Sequence, residues 1–335
     1  MDRSASEITF DAKGLCNFCT QAQKSVAEMQ SYALLEKFWG IQVEQNYSNN
    51  QYDCLIGLSG GVDSSYTLFK AVQKGMKPLC FSIDTGYNKP EADENIMRLV
   101  EGLKVPFFRY TIDLKKFKEL QAAFMRAGVR NIEIPTDHVL MAASYEMAAK
   151  YGLKTILSGG NVATESIMPP SWGYNARDLT HIKAIYKKFT GKRLTGLPLC
   201  SIWLWNYYRW IKKIRIFYLL DYLNYNRLDA EKELIEKFGF KSTGEKHEEN
   251  YFTWWFQNFY LFEKFGIDKR KAHYSSLIMS GQMTRQEALD KLTSAPIYPE
   301  LGLEQRVMGY AKHEHSDYPM DKWYDRIAWL IKKVT

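Results

Sequence analysis

The chain has 335 residues, 46% of them hydrophobic and 25% charged, with 21 Gly and 10 Pro. That length allows one large or two modest units with sizeable cores, and the composition excludes disordered, collagenous and repeat classes. The 45 Lys and Arg against 38 Asp and Glu leave a net charge of +7. This favours anionic ligands such as nucleotides, phosphosugars, nucleic acid or a lipid surface, without choosing among them. The polar stretch Met1–Gly14 has no apolar segment of a secretory signal, and no run is long enough to cross a bilayer, so a cytoplasmic location is expected. Five cysteines at uneven spacing argue for reduced thiols or a metal rather than a disulfide framework.

In chain order, Tyr52–Leu58 reads as a short buried strand, followed by the turn Ser59-Gly-Gly-Val-Asp-Ser64 and a periodic helix to about Lys74. Lys77–Asp84 is predicted as a second strand, Glu91–Gly102 as a helix, and Val105–Asp113 as a third strand. Helices follow over Leu114–Ala127 and Asp137–Lys150, then a fourth strand over Leu153–Ser158 that runs into Gly159-Gly160-Asn161. Alternating strands and helices imply an α/β fold with a parallel sheet and ligands at the carboxyl ends of its strands. Beyond about residue 165 the alternation is expected to stop. The remainder reads as helical and aromatic-rich, with Trp203, Trp205, Trp210, Trp254 and Trp255 among basic residues. The expected organisation is an N-terminal segment 1–50, a nucleotide-binding unit 51–165 and a mostly α-helical C-terminal region 166–335 for substrate or partner.

The turn after the first strand carries the chemistry. Two glycines let successive backbone N–H groups converge on an anion, and the following helix adds its N-terminal dipole. No lysine follows, as a Walker A loop would require, and Asp63 instead offers a carboxylate suited to Mg²⁺.

The segment Ser59-Gly-Gly-Val-Asp-Ser-Ser65 resembles the PP-loop of the ATP pyrophosphatase superfamily, an adenine-nucleotide-binding, HUP-like fold whose members cleave ATP between the α- and β-phosphates. Further segments are Cys16-Asn-Phe-Cys19, Ile156–Asn161, Trp172-Gly-Tyr-Asn175, Ile182–Phe189, Lys264–His273 and Ser280–Leu289. Together they resemble the N-acetyl sugar amidotransferases of the WbpG and PseA type, which turn an acetamido group of a bacterial surface sugar into an acetamidino group. By that resemblance Ser59, Gly60, Gly61, Ser64 and Ser65 hold the pyrophosphate, and Asp63 takes Mg²⁺. Ser82 and Asp84 lie near adenine or ribose, and Gly159, Gly160 and Asn161 close the site near the α-phosphate. ATP and Mg²⁺ are the cofactors implied. Charge neutralisation during the transfer makes Lys246, Lys264, Lys269 and Arg270 candidates. Trp172, Tyr174, Asn175 and Asp178 are candidates for gripping the sugar.

Cys16-x-x-Cys19 has zinc-knuckle spacing, but tetrahedral zinc needs two more ligands. The family places another such pair just upstream, so Zn²⁺ is expected only with that pair present. Cys54, Cys80 and Cys200 read as buried small hydrophobes, and His247 and His273 fall inside family-like motifs. The aromatic and basic stretch Ile202–Leu220 reads as core against a domain partner, with a membrane-surface helix as the alternative. No activated Cys with a His partner is visible, so ammonia is expected from a separate glutaminase resembling the one that serves imidazole glycerol phosphate synthase. The rival reading is a PP-loop RNA-modifying, thiolation-type enzyme, which the positive charge would suit and which needs a reactive Cys near ATP.

Overall fold

A computed structural model describes residues 1–29 and 51–321. The parts of the 1–50 segment and of the 166–335 region that fall at 30–50 and 322–335 lie outside the described residues. Five parallel strands form one sheet: β1 (Cys54–Gly57), β2 (Pro78–Ile83), β3 (Phe107–Tyr110), β4 (Thr155–Ser158) and β5 (Arg215–Tyr218), in the order β3-β2-β1-β4-β5. The pleat sends alternate side chains to opposite faces. Leu55, Leu79, Phe81 and Ile156 join one core, while Cys54, Ile56, Cys80 and Leu157 join the other. Both faces are therefore covered, which is why the central strands read as unbroken apolar runs.

Helix α1 (Asn17–Met29) precedes the sheet, and α2 (Val62–Gln73), α3 (Pro90–Leu103), α4 (Leu114–Ala127) and α5 (Ile134–Lys150) alternate with its strands. Helix α4 begins at Asp113, whose side chain accepts from the Lys116 amide, and ends at Gly128 in the left-handed region. Those two punctuating residues made its bounds readable. After β4 come α6 (Val162–Glu165), α7 (Leu179–Thr190) and α8 (Ile202–Asn206), the last continuing as a π turn over Tyr207–Ile211. Then follow β5, α9 (Arg227–Phe238), α10 (Tyr251–Trp255) with a π extension to Lys264, and α11 (Lys269–Met279).

The described part of the 166–335 region is mostly helical, as expected, but the alternation does not stop at residue 165. Strand β5 comes from inside the stretch read as helix and pairs with β4 through Thr155–Arg215 to Ser158–Tyr218. Lys213 takes a positive φ of 57°, which ends the preceding helix and turns the chain into the strand. A lysine there carries no sequence signal for such a turn. As an edge strand of four residues with both end positions exposed, β5 also lacks the apolar run that marked β1 and β2.

Candidate functional site

The strand order reverses between β1 and β4, and the loops leaving those two strands meet. Gly60 has φ +79°, and a Cβ there would lie 2.2 Å from the Ala92 carbonyl oxygen, so only glycine fits. A Cβ on Gly159 would lie 2.7 Å from the Ser64 amide nitrogen, so the tip of β4 presses against the first turn of α2. Within the loop, the Ser59 and Ser64 hydroxyls lie 3.1 Å apart, and Ser59 Oγ accepts from the Gly61 amide at 3.3 Å. The result is a tight anion cradle at the start of a 12-residue helix. One carboxylate already lies on it. Glu249 Oε1 accepts from Ser59 Oγ at 3.2 Å, and a Cβ on Gly61 would meet the same carboxylate at 2.8 Å.

Behind the loop Lys246 is tied down by three side chains from two elements, α2 and α6. Its side chain is 4% exposed, and its ammonium donates to Asp63 Oδ2 at 2.5 Å and Thr164 Oγ1 at 2.6 Å, with Glu165 Oε1 at 2.9 Å. The Tyr225 hydroxyl donates to the other Asp63 oxygen, and His247 Nε2 lies 3.4 Å from Glu165. Burial alone would pull Lys246 down, but Asp63 and Glu165 outweigh it and hold the ammonium above its ordinary value. Burial likewise works against the Glu165 carboxylate, yet Lys246 and His247 hold it well below the usual range. Burial and the neighbouring Asp63 push the Tyr225 phenol up, so it remains a donor.

Two connected clefts open from this point. The smaller, about 270 Å³, is lined by Ser59, Gly61, Asp63, Gly159, Gly160 and Lys246 among others. The larger, about 1140 Å³, shares Ser59, Gly159, Glu165, Lys246 and Glu249 with it and extends to Glu133, Asp137, Trp172, Tyr174, Lys269 and His273. The pair is large enough for a nucleotide and a second substrate. Its far wall holds groups whose protonation burial has displaced. Glu133 is raised by burial and by nearby Asp137, and Asp137 is raised by burial. The Thr253 hydroxyl donates to Glu133. Burial brings Lys269 down to about 8 despite Glu133, Glu165 and Asp137. His273 is brought down to about 4 by burial and Lys246. Its Nδ1–H donates to the Thr164 carbonyl at 3.1 Å, and burial keeps the imidazole neutral at neutral pH. Titratable groups displaced in this way concentrate at functional sites.

Of the residues picked out in the sequence, Ser59, Gly61, Asp63, Ser64, Gly159 and Gly160 line the smaller cleft, while Ser82, Trp172, Tyr174, Asn175 and Lys269 line the larger. Gly60 shapes the loop from below, and Ser65 is buried in the first turn of α2. Asp63, expected as a magnesium ligand, faces the smaller cleft with Lys246 and Tyr225 on its two oxygens. Several expectations need correcting. Asp84 is absent from both linings and accepts from the Gly86 amide at 2.7 Å, closing a turn. Asn161 is buried and caps α6 by accepting from the Thr164 amide at 2.9 Å. Asp178 is buried and caps α7, accepting from the His181 amide at 2.9 Å and the Tyr174 hydroxyl at 2.7 Å. Arg270 borders the larger cleft, but its guanidinium is held by Asp268 at 2.8 and 3.0 Å and by the Ser294 carbonyl at 2.9 Å. Lys264 is buried on the Val307 and Tyr310 carbonyls. The sulfurs of Cys16 and Cys19 lie 3.3 Å apart, and no group of three or more His, Cys, Asp or Glu suited to a metal occurs among the described residues. Sequence reasoning missed Glu133, Asp137, Glu165, Tyr225 and Glu249. Only Glu165, four residues past Asn161, and Glu249, two past His247, stood beside a recognised motif.

Sheet order, glycine cradle and cleft together define an α/β protein with an anion-binding loop at the switch point of a parallel sheet. Residues 249–317 match the family model of the LPS biosynthesis protein WbpG-like, C-terminal domain. Among solved structures, that of NMN synthetase from Francisella tularensis is 15% identical with a TM-score of 0.37, covering 89% of this chain and 98% of that chain. The NH3-dependent NAD synthetase from Campylobacter jejuni subsp. jejuni NCTC 11168, in complex with the nitrate ion, is 14% identical with a TM-score of 0.33, covering 84% and 98%. Likeness at that level bears on neither ligand nor activity. No curated protein matches the chain.

Proposed function

We propose that the chain is an ATP-dependent amidotransferase that converts the acetamido group of a bacterial surface-glycan sugar into an acetamidino group, releasing AMP and pyrophosphate. The observation that carries this reading is the continuity of the two clefts. A phosphate cradle backed by a buried ammonium opens directly into a chamber with the aromatic side chains Trp172 and Tyr174 and displaced acid–base groups. The WbpG-like match of residues 249–317 supports the sugar as substrate.

The chemistry follows from the poor leaving ability of an amide oxygen. The acetamido oxygen attacks the α-phosphorus, the bond to the β-phosphate oxygen breaks, and pyrophosphate leaves with the proton that the amide nitrogen gives up. In the resulting O-adenylyl imidate, AMP is the leaving group. Ammonia then adds to the imidate carbon, the carbon–oxygen bond breaks, and the product is an amidinium cation with AMP as the departing dianion. The Ser59–Ser64 amides and hydroxyls hold the pyrophosphate, and Lys246 stands where charge grows on it, which is most of what such transfers ask of a protein. The donor set also suits magnesium, which takes one or two carboxylates and completes its shell with phosphate oxygens and water. Asp63 and Glu165, both now on the Lys246 ammonium, would hold it. A bound magnesium ion supplies further neutralisation of the phosphates. Lys269 and His273 are placed to hold or pass protons on the sugar side.

In this proposal ammonia comes from outside the chain, since burial pushes the Cys19 thiol up to about 11. Cys54, Cys80 and Cys200 are buried, and burial pushes the Cys200 thiol up to about 12, far from the activated thiolate that glutamine hydrolysis needs. A separate glutaminase subunit is the source this supports. The thiolation reading loses support for the same reason, since Cys200 lines neither cleft. The test supplies ATP and an acetamido sugar with ammonium at alkaline pH, or with glutamine. Amidino sugar, AMP and pyrophosphate are expected from ammonium alone, and from glutamine only with the glutaminase added. ADP and phosphate as products, or efficient glutamine use by the chain alone, would overturn the assignment.

A further inference from the structure

The stretch Ile202–Leu220 is only partly the core it was expected to be. Trp205, Ile214, Leu219 and Leu220 are buried, but Trp203 is 72% exposed, Ile211 69%, Trp210 47%, Tyr207 42% and Leu204 36%. Positions 203, 204, 207, 210 and 211 recur at helical spacing, so one face of α8 and its π turn presents five large apolar side chains in a row. The opposite side of the helix is fixed. The Trp205 ring packs edge-on against Tyr145 at 6.0 Å, and the Arg177 guanidinium lies 3.3 Å from its centroid. Apolar side chains scattered singly over a surface need no explanation, whereas a contiguous row marks a contact.

The charges beside the row say what kind of contact. Within the row's own segment, from Ile202 to Leu220, the sequence contains no Asp or Glu, while Arg209, Lys212, Lys213 and Arg215 fall within it. Arg209 leans on the Trp210 ring at 5.4 Å and Lys212 on Tyr207 at 5.8 Å. Lysine is depleted at protein–protein interfaces. Long cations flanking tryptophan and isoleucine instead match a headgroup layer, where the rings settle at the acyl boundary and the cations reach phosphates. No helix among the described residues is long and apolar enough to cross a membrane, so the contact is with a surface.

We propose that this face docks the chain on an anionic lipid bilayer, with α8 and its π turn lying in the headgroup plane, Trp203, Trp210 and Ile211 inserted, and Lys212 and Lys213 on lipid phosphates. The inference is independent of the reaction assigned to the clefts. The full-length chain is floated with vesicles of phosphatidylcholine alone, and with vesicles in which phosphatidylglycerol replaces one quarter of it. Recovery with the anionic vesicles, reduced by high salt, is expected. The triple variant Trp203→Ser, Trp210→Ser, Ile211→Ser should lose about tenfold or more of the bound fraction, and Lys212→Glu with Lys213→Glu should bring recovery down to the phosphatidylcholine level. Unchanged circular dichroism and thermal unfolding establish that both variants are folded. Failure of the unaltered chain to float with anionic vesicles overturns the proposal, as does equal flotation of the triple variant. Self-association, or capture of a glutaminase, that is lost in the triple variant without any vesicle binding reassigns the row to a protein partner and also overturns it.

Discussion

Replacing Lys246 by methionine removes the cation on which the loop and α6 converge. Deleting one partner of a buried ion pair costs about 3–5 kcal/mol, because the other charge stays behind without compensation. Here Asp63 keeps the Tyr225 hydroxyl. Glu165 is 36% exposed, so its share is screened by water and must be discounted. The lower end, about 3 kcal/mol, is therefore expected from urea unfolding at neutral pH, and it corresponds to more than a hundredfold in the folding constant. Pyrophosphate release should fall by about 10²–10³, as when a donor facing developing charge is lost. Asp63→Asn should cost a similar amount, and the double variant clearly less than the sum, since both changes break the same pair. The Glu165 carboxylate, held low in the folded chain, contributes stability above its ordinary range that is lost as pH falls; in Lys246→Met that acid-side loss should shrink. An unchanged unfolding midpoint with turnover within about twofold, or strictly additive costs in the cycle, would refute the account of this ion pair.

Gly159→Ala places a methyl group 2.7 Å from the Ser64 amide; an overpacking cost of about 1–3 kcal/mol is expected, with nucleotide affinity, read by calorimetric titration, at least about tenfold weaker. Asp178→Ala should cost about 1 kcal/mol as a lost helix cap while leaving the KM for the sugar unchanged, and a large KM effect would restore it as a sugar ligand. Glu133 and Asp137 are both raised, so the folded chain keeps protons that the unfolded chain has released; stability should fall as pH rises from about 5 towards about 8. Glu133→Gln should flatten that slope in urea midpoints measured across the range.

The phosphate cradle was legible because its constraint is local. The cradle needs glycine at a positive φ and at a close backbone contact, and both needs are written into adjacent residues. Helix α4 was legible for a related reason, with Asp113 and Gly128 marking its ends. The same kind of punctuation misled elsewhere. Asn161 and Asp178 sit beside family-like motifs and look like ligands, yet their side chains satisfy the open amides of the helices they start, and Arg270 clamps the cap residue Asp268. What could not be read was any partner brought in by the tertiary fold. Lys246 could be suspected from sequence, but the carboxylates and hydroxyl that define its role come from residues 63, 164 and 165. Strand β5 was hidden because an exposed edge strand following an aromatic helix shares its composition.

The carboxylate of Glu249 on the Ser59–Gly61 turn changes what nucleotide affinity means for this chain. The Glu249 carboxylate already accepts from the Ser59 hydroxyl of the cradle, so under the proposed function a triphosphate would arrive by exchange. Affinity measured in solution is then the intrinsic affinity reduced by the fraction of molecules in which the tethered carboxylate has swung aside. Glu249 also fixes the strap from which Lys246 projects, since its carbonyl accepts from the Lys89 amide at 2.9 Å. One segment thus sets both how readily the cradle empties and where the nearest buried cation stands when it refills.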